Sequence, residues 1–252
     1  MMDALTGKVA IITGASRGIG RATAERLAEN GASVVVNYAT SAKEANGVVE
    51  AIEGRGGKAL AIQADLAKLE DIRRLFRETV GRLDRLDIFV ANAGYSSFKL
   101  MAETTEEDFD RTYSLNAKGT YFCLQEALRH MVDGGRIVCV STIGTVLNLP
   151  GGSCYFGSKG AVEQFCRVLA KEVAQRNITV NVVSPGFTET KMMSDIFETM
   201  GPNVPRELID MTPLRRFGQP EEIAEVIAFL VSERGRWVTR QNIAADGGII
   251  SR

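Results

Sequence analysis

Tyr155 and Lys159 stand four residues apart in the run Ser153-Cys154-Tyr155-Phe156-Gly157-Ser158-Lys159. The apolar spacing of the residues that follow, through Ala170, predicts an amphipathic helix. On a helix that separation puts the phenol and the ammonium on one face. A nearby ammonium favours phenolate, so Lys159 is expected to lower the tyrosine pKa from its ordinary value of about 10. A tyrosine tuned in this way can give or take a proton near neutral pH. Two residues at helical spacing also describe an ordinary surface helix. The rest of the chain decides whether a site is built around them.

The chain has 252 residues, 45% of them hydrophobic, which suits one large α/β domain or two small ones. Its 30 Lys and Arg nearly balance 31 Asp and Glu, which argues against an electrostatic binder of nucleic acid or membranes. Cys123, Cys139, Cys154 and Cys166 are scattered with no C-x-x-C pair, and they read as free thiols of a reducing compartment. There is no charged start followed by an apolar run, and no run of about 18 or more apolar residues. A cytoplasmic protein is the expectation. His130 is the only histidine, so a histidine metal site or a Ser/His/Asp triad is not expected; it falls where a helix end would be capped.

Apolar runs at 8–13, 33–37, 59–64, 86–91, 136–140, 178–183 and 241–245 read as strands. Helical spacing fills 19–30, 42–53, 69–82, 105–116, 120–130, the Tyr155 segment to about 176, and 220–232. Strands alternating with helices of this length imply parallel pairing through right-handed crossovers. No linker and no internal repeat interrupts the alternation, so the expected fold is one doubly wound α/β domain over 1–252, about seven parallel strands with helices on both faces. Ligands of such sheets bind at the carboxyl ends of the strands.

A phosphate site is expected after the first strand. Thr13-Gly14-Ala15-Ser16-Arg17-Gly18-Ile19-Gly20 opens a helix, and its glycines let backbone N–H groups approach a pyrophosphate. The second strand ends in Asn37-Tyr38-Ala39-Thr40, where a carboxylate would repel a 2′-phosphate. Asn37 carries none, and the Arg17 guanidinium could pair with that phosphate. Both features favour NADP(H).

The spacing G-x-x-x-G-x-G resembles the short-chain dehydrogenase/reductase family. So do Asp65-Leu66, Asn92-Ala93-Gly94, Asn116, Ser141-Thr142, Tyr155 to Lys159, 181–186 and Asp246-Gly247-Gly248, in order along nearly the whole chain. Within the family the chain looks most like 3-oxoacyl-carrier-protein reductases and related ketoreductases. The resemblance implies a Rossmann-type fold and an NADP-dependent oxidoreductase. Gly14, Ser16, Arg17, Gly18, Ile19 and Gly20 would hold phosphates, with Asn37 to Thr40, Asp65 and Leu66 toward the adenosine. Asn92, Ala93 and Gly94 would run beside the cofactor. Pro185, Gly186, Thr188 and Thr190 would hold the nicotinamide carboxamide. Tyr155 would donate its proton to the carbonyl oxygen. Lys159 would bind the ribose hydroxyls, and Asn116 would help a water link Lys159 to solvent.

Two departures from the family pattern stand out. Where relatives carry serine thirteen residues before the tyrosine, this chain has Thr142, with Ser141 just before it. Thr142 keeps a hydroxyl, but its extra methyl stiffens χ1. Strand alternation lets only one of the two reach the substrate; spacing favours Thr142, and Ser141 is the fallback. Arg240 stands where relatives place glycine, so a positive φ there would be strained.

The expected reaction is NADPH-dependent reduction of a 3-oxoacyl thioester or a small hydrophobic ketone. The alternatives are a sugar or polyol dehydrogenase working toward the ketone, and a non-catalytic NADP(H) sensor. Phe98, Leu147, Leu149, Phe187, Met192, Met193 and Phe197 are the expected apolar walls, and 187–212, with Gly201, Pro202 and Pro205, an expected mobile lid. If the substrate rides on an acyl carrier protein, which is acidic, Arg129, Arg167 and Arg176 are the candidate docking charges. The resemblance also implies a homotetramer, with Phe165 and Val168 as surface candidates.

Overall fold

Alternate residues of each strand enter two different cores, which is what a sheet covered on both faces requires. In a computed structural model, which describes residues 5–200 and 203–250, the strands are β1 (Val9–Ile12), β2 (Ser33–Tyr38), β3 (Lys58–Gln63), β4 (Ile88–Ala91), β5 (Arg136–Val140), β6 (Thr179–Pro185) and β7 (Asn242–Ala245). They form one sheet in the order β3-β2-β1-β4-β5-β6-β7, parallel at every pairing. Ile11, Val35, Phe89, Ile137 and Val180 point into one core, Ala10, Ile12, Val34, Val36, Ile88 and Val138 into the other.

Helices α1 (Gly18–Glu29) and α2 (Ala42–Gly54) cover the second of these cores. Helix α3 (Leu69–Leu83) covers the first through Ile72, Leu75 and Phe76. Next along the chain come α4 (Glu106–Tyr113) and α5 (Thr120–His130), followed by α6 (Gly144–Leu147) and α7 (Ser153–Glu172). The last three are α8 (Lys191–Met200), α9 (Val204–Met211) and α10 (Pro220–Val231). Helices α5 and α7 join α3 on the first face, and α10 joins α1 on the second. Strand β1 lies between β2 and β4, so the order reverses beside it and opens a crevice at the carboxyl ends.

Three features differ from the expected elements. The helical spacing before and after Asn116 is one continuous rod, because a π-helical segment over Ser114–Gly119 joins α4 to α5. The short α6 lies in what reads as loop, since four residues are too few for a periodic signal. The expected lid contains two helices, α8 and α9, with Pro205 in the first turn of α9. Gly201 and Pro202 lie outside the described residues. Among those described, no helix is long and apolar enough to cross a membrane.

Candidate active site

The glycine loop is held against the end of β4 by the buried Thr13 and the half-buried Asn92. Thr13 Oγ1 accepts from the Asn92 and Ala93 amides at 2.9 and 3.0 Å. Asn92 Nδ2 donates to the Thr13 and Gly14 carbonyls at 2.9 and 3.1 Å. Gly14 and Gly18 adopt φ of +60° and +54°, which side chains rarely tolerate. A methyl at Gly14 would also lie 2.9 Å from Ala93 Cα. The loop runs straight into α1, so its free N–H groups and the positive helix end face the crevice.

At the far end of β2, Asn37 is buried and its amide is spent on backbone. It accepts from Gly14 N at 3.3 Å and donates to the Ile62 and Ala64 carbonyls at 3.3 and 3.2 Å. Asn37 therefore braces the glycine loop against β3 while still lining the cleft. Tyr38, Ala39, Thr40, Ser41 and Arg17 line this corner beside it. Arg17 is exposed at the rim of the cleft. It forms no ion pair among the described residues, which leaves its guanidinium available to an anion.

At the reacting end, α7 carries Tyr155 and Lys159 one turn apart. Lys159 is buried and donates from Nζ to the Val140 carbonyl at 2.8 Å. A methyl at Gly94 would come within 3.3 Å of that Nζ. Burial pushes the Lys159 ammonium down to about 8 and the Tyr155 phenol up to about 12. The expected depression of the tyrosine pKa is thus reversed. Desolvation opposes charge on both groups, and the lysine's hydrogen bond goes to a carbonyl. Tyr155 is a neutral acid throughout the physiological range.

The two candidate hydroxyls separate cleanly. Ser141 is buried, and its Oγ donates to Glu163 Oε1 at 2.8 Å. Thr142 is half-exposed to the cleft, and its Oγ1 accepts from the Gly144 amide at 3.1 Å. With one lone pair engaged, the Thr142 proton remains free to donate. Asn116 sits behind Gly94, fully buried in the π-helical segment. Its amide accepts from Tyr95 N and donates to Tyr95 O, both at 2.8 Å, and donates to Ser158 Oγ at 2.9 Å. Ser158 in turn donates to the Tyr155 carbonyl at 2.6 Å. These bonds tie the start of α7 to the loop after β4.

The cleft has a volume of about 710 Å³. It brings together every sequence-derived site residue except Gly20 and Asn116, which stand behind its wall. Gly20 serves by absence, since a methyl there would overlap the Gly14 carbonyl. Pro185, Gly186, Thr188 and Thr190 line the same cleft, and Thr190 Cγ2 would meet a methyl placed on Gly18. The substrate end is aromatic: the Phe98 ring lies 6.2 Å from Tyr155 and 5.7 Å, edge-on, from Phe156. Phe156 occupies the space between Gly144 and Gly152, where any side chain would overlap it. The residues fit a dinucleotide with a 2′-phosphate: a glycine-rich helix start, an unpaired arginine, and no carboxylate at the end of β2.

The family model described as enoyl-(acyl carrier protein) reductase matches residues 14–250. A dehydrogenase/reductase from Sinorhizobium meliloti superposes with a TM-score of 0.94 at 37% identity, covering 99% of this chain and 98% of that one. The chain belongs to the short-chain dehydrogenase/reductase family. An angucycline C-6 ketoreductase solved with bound NADP is 43% identical, with a TM-score of 0.92 over 97% of this chain and 96% of its own. The tetrahydroxynaphthalene reductase of Pyricularia oryzae is 41% identical over 254 residues, 97% of this chain and 90% of that protein.

As a short-chain oxidoreductase the protein departs from several sequence expectations. Phe197 stacks on Phe217 at 5.5 Å and does not line the cleft, whereas Leu147, Leu149, Phe187, Met192 and Met193 do. His130 is the last residue of α5, as its place at a helix end predicts, with its Nε2 3.6 Å from a Glu126 carboxylate oxygen and its ring nearly parallel to Phe76, centroids 6.4 Å apart. The three docking arginines are all partnered: Arg129 with Glu126 at 2.6 Å, Arg176 with Asp133 at 2.7 Å, Arg167 with Glu163 at 3.6 Å. Arg240 does adopt the expected positive φ, +61°. Sequence reasoning passed over Phe156, whose only signal was the pair of glycines at 144 and 152. It also passed over Arg111, which lines the cleft with its guanidinium 4.2 Å above the Tyr95 ring.

Proposed function

We propose that this oxidoreductase is an NADPH-dependent ketoreductase of a hydrophobic, ring-bearing ketone. The observation that carries the reading is the cleft wall itself. A protonated Tyr155 phenol and the free Thr142 proton open onto the same space as the Phe98 and Phe156 rings. A planar ketone stacked on that wall would present its oxygen to both hydroxyls. Tyr155 would hand its proton to the carbonyl oxygen while the Thr142 donor stabilises the charge that develops there. Lys159 would hold the ribose hydroxyls and supply positive charge beside the phenol. NADPH, when bound, supplies the hydride. Arg17 would hold its 2′-phosphate.

The names of two relatives, a tetrahydroxynaphthalene reductase and an angucycline C-6 ketoreductase, point to the same substrate class. A sugar or polyol substrate suits this wall poorly, because its hydroxyls would lose water against phenyl rings. An acyl-carrier substrate is disfavoured by the pairing of Arg129, Arg167 and Arg176. Helices α8 and α9 would act as the lid over the bound ketone. Of the two surface candidates Val168 is exposed, whereas Phe165 packs partly against the core and edge-on to the exposed Tyr121, so Val168 and Tyr121 are the apolar surface offered to a homotetramer, and a light-scattering mass of one 27.4 kDa chain would rule it out.

The test is nicotinamide absorbance with NADPH and NADH against 2-tetralone, menadione, acetoacetyl-coenzyme A and fructose. The expected result is oxidation of NADPH with the aryl ketone or quinone dominant. Tight NADPH binding with no turnover of any of the four would overturn the reading in favour of a sensor. Arg17→Ala should weaken NADPH at least about tenfold and NADH little, since a charge-assisted bond to one phosphate contributes roughly 1.5–3 kcal/mol. Equal losses for both cofactors would show that Arg17 does not read the phosphate.

A further inference from the structure

Tyr155, Lys159 and Glu163 follow one another at four-residue intervals along α7 and form a single stripe. The first two belong to the site already described. Glu163 does not touch the cleft, yet it is a buried carboxylate, 5% exposed, and such a group is costly without donors around it. Its two hydrogen-bond donors belong to one short segment. Oε1 accepts from Ser141 Oγ at 2.8 Å and from Thr145 Oγ1 at 2.7 Å. Arg167, half-exposed, stands 3.6 Å from Oε2. One turn earlier on the helix, Lys159 takes the Val140 carbonyl.

The stretch 140–145 is therefore gripped from α7 at three points: the carbonyl of Val140 and the hydroxyls of Ser141 and Thr145. Of its three hydroxyl residues, only Thr142, which lines the cleft, keeps its hydroxyl proton uncommitted, and it lies between the two that Glu163 holds. The same helix that fixes the phenol thereby fixes the second donor relative to it. A shift of about 1 Å in such a donor can cost a hundredfold in rate, and the Thr142 methyl leaves few rotamers to recover with.

We propose that Glu163 is a positioning residue that sets the donor hydroxyl of Thr142 through the hydroxyls of Ser141 and Thr145. The proposal rests on Thr142 as the hydroxyl that meets the carbonyl oxygen, and the test separates the two. With 2-tetralone and NADPH, Glu163→Leu lowers kcat about tenfold or more while the NADPH dissociation constant stays within about twofold. Glu163→Gln, whose single carbonyl oxygen still accepts from both hydroxyls, stays within about threefold of wild type. Thr145→Val, which keeps the volume and removes one strap, loses severalfold.

In a Thr142→Ala background, where no hydroxyl is left to place, Glu163→Leu adds less than about twofold. Losses that multiply in the double variant, or a Glu163→Leu enzyme with wild-type kcat, overturn the proposal. If Thr142→Ala itself leaves kcat unchanged, the role of Thr142 falls and the proposal with it. Crystal structures of wild type and Glu163→Leu with NADPH decide the point without turnover. A Thr142 side chain turned from the cleft in the variant supports the proposal, and an unmoved one overturns it.

Discussion

Replacing Lys159 by methionine should stabilise the protein while removing its activity. The ammonium is buried, and its pKa falls from 10.5 to about 8. At roughly 1.4 kcal/mol per pKa unit, keeping that charge in the folded chain at pH 7 costs about 3 kcal/mol relative to the unfolded chain. Methionine has similar length, fills the space and carries no charge. It gives up the bond to the Val140 carbonyl, a loss of about 1 kcal/mol where the cleft admits water. The net expectation is a gain of about 2 kcal/mol, or roughly 4–8 °C in melting temperature for a chain of this size.

The pH dependence is the sharper part. Between pH 8 and 10.5 the unfolded lysine holds its proton and the folded one has released it, so wild-type stability rises with pH across that window. The variant has no such term. Its advantage should be complete below pH 8 and shrink by about 2–3 kcal/mol between pH 7 and pH 10. Urea unfolding followed by far-ultraviolet circular dichroism at both pH values measures the difference directly. A variant less stable than wild type at pH 7, or a difference that does not move with pH, would refute the reasoning. Turnover should fall at least about a hundredfold in either case, as when a donor at a developing charge is lost.

Tyr155→Phe should lower turnover by about a hundredfold to ten-thousandfold, the range for a lost general acid. NADPH fluorescence titration should show the cofactor still bound; a variant that cannot bind it would mean the ring is structural. For ketone reduction the phenol stays protonated up to about 12, whereas the Lys159 charge is lost as pH rises through about 8. The kcat/KM for reduction should then be level in neutral solution and decline above pH 8. A decline that begins near pH 6 would point to another group. Arg240→Gly should stabilise by about 1 kcal/mol, because its φ of +61° suits glycine and strains arginine. A melting temperature unchanged or lowered in that variant would mean the arginine side chain makes up for the strain.

Much of this protein is determined locally. The alternation of β-branched runs with helical spacing sets a parallel doubly wound sheet, because each strand must bury both faces and each crossover must cover one. The glycines at 14 and 18 are legible for a similar reason, since the loop needs backbone angles that few other residues adopt. Tyr155 and Lys159 need only four residues of helix to share a face. None of these inferences requires knowing what lies across the fold.

The remainder depends on partners distant in sequence. Spacing favours Thr142 over Ser141 but cannot separate them, and Glu163, 22 residues from Ser141, does so by engaging the Ser141 hydroxyl proton. That the Asn37 amide also ties the glycine loop to the end of β3 is visible only once both are folded against it. The direction of the tyrosine pKa reverses for the same kind of reason. Spacing reveals that an ammonium is near, but only the packed structure sets how much water each group loses and which carbonyl takes the charge. Desolvation is a property of everything that surrounds an atom, so tertiary structure alone decides it.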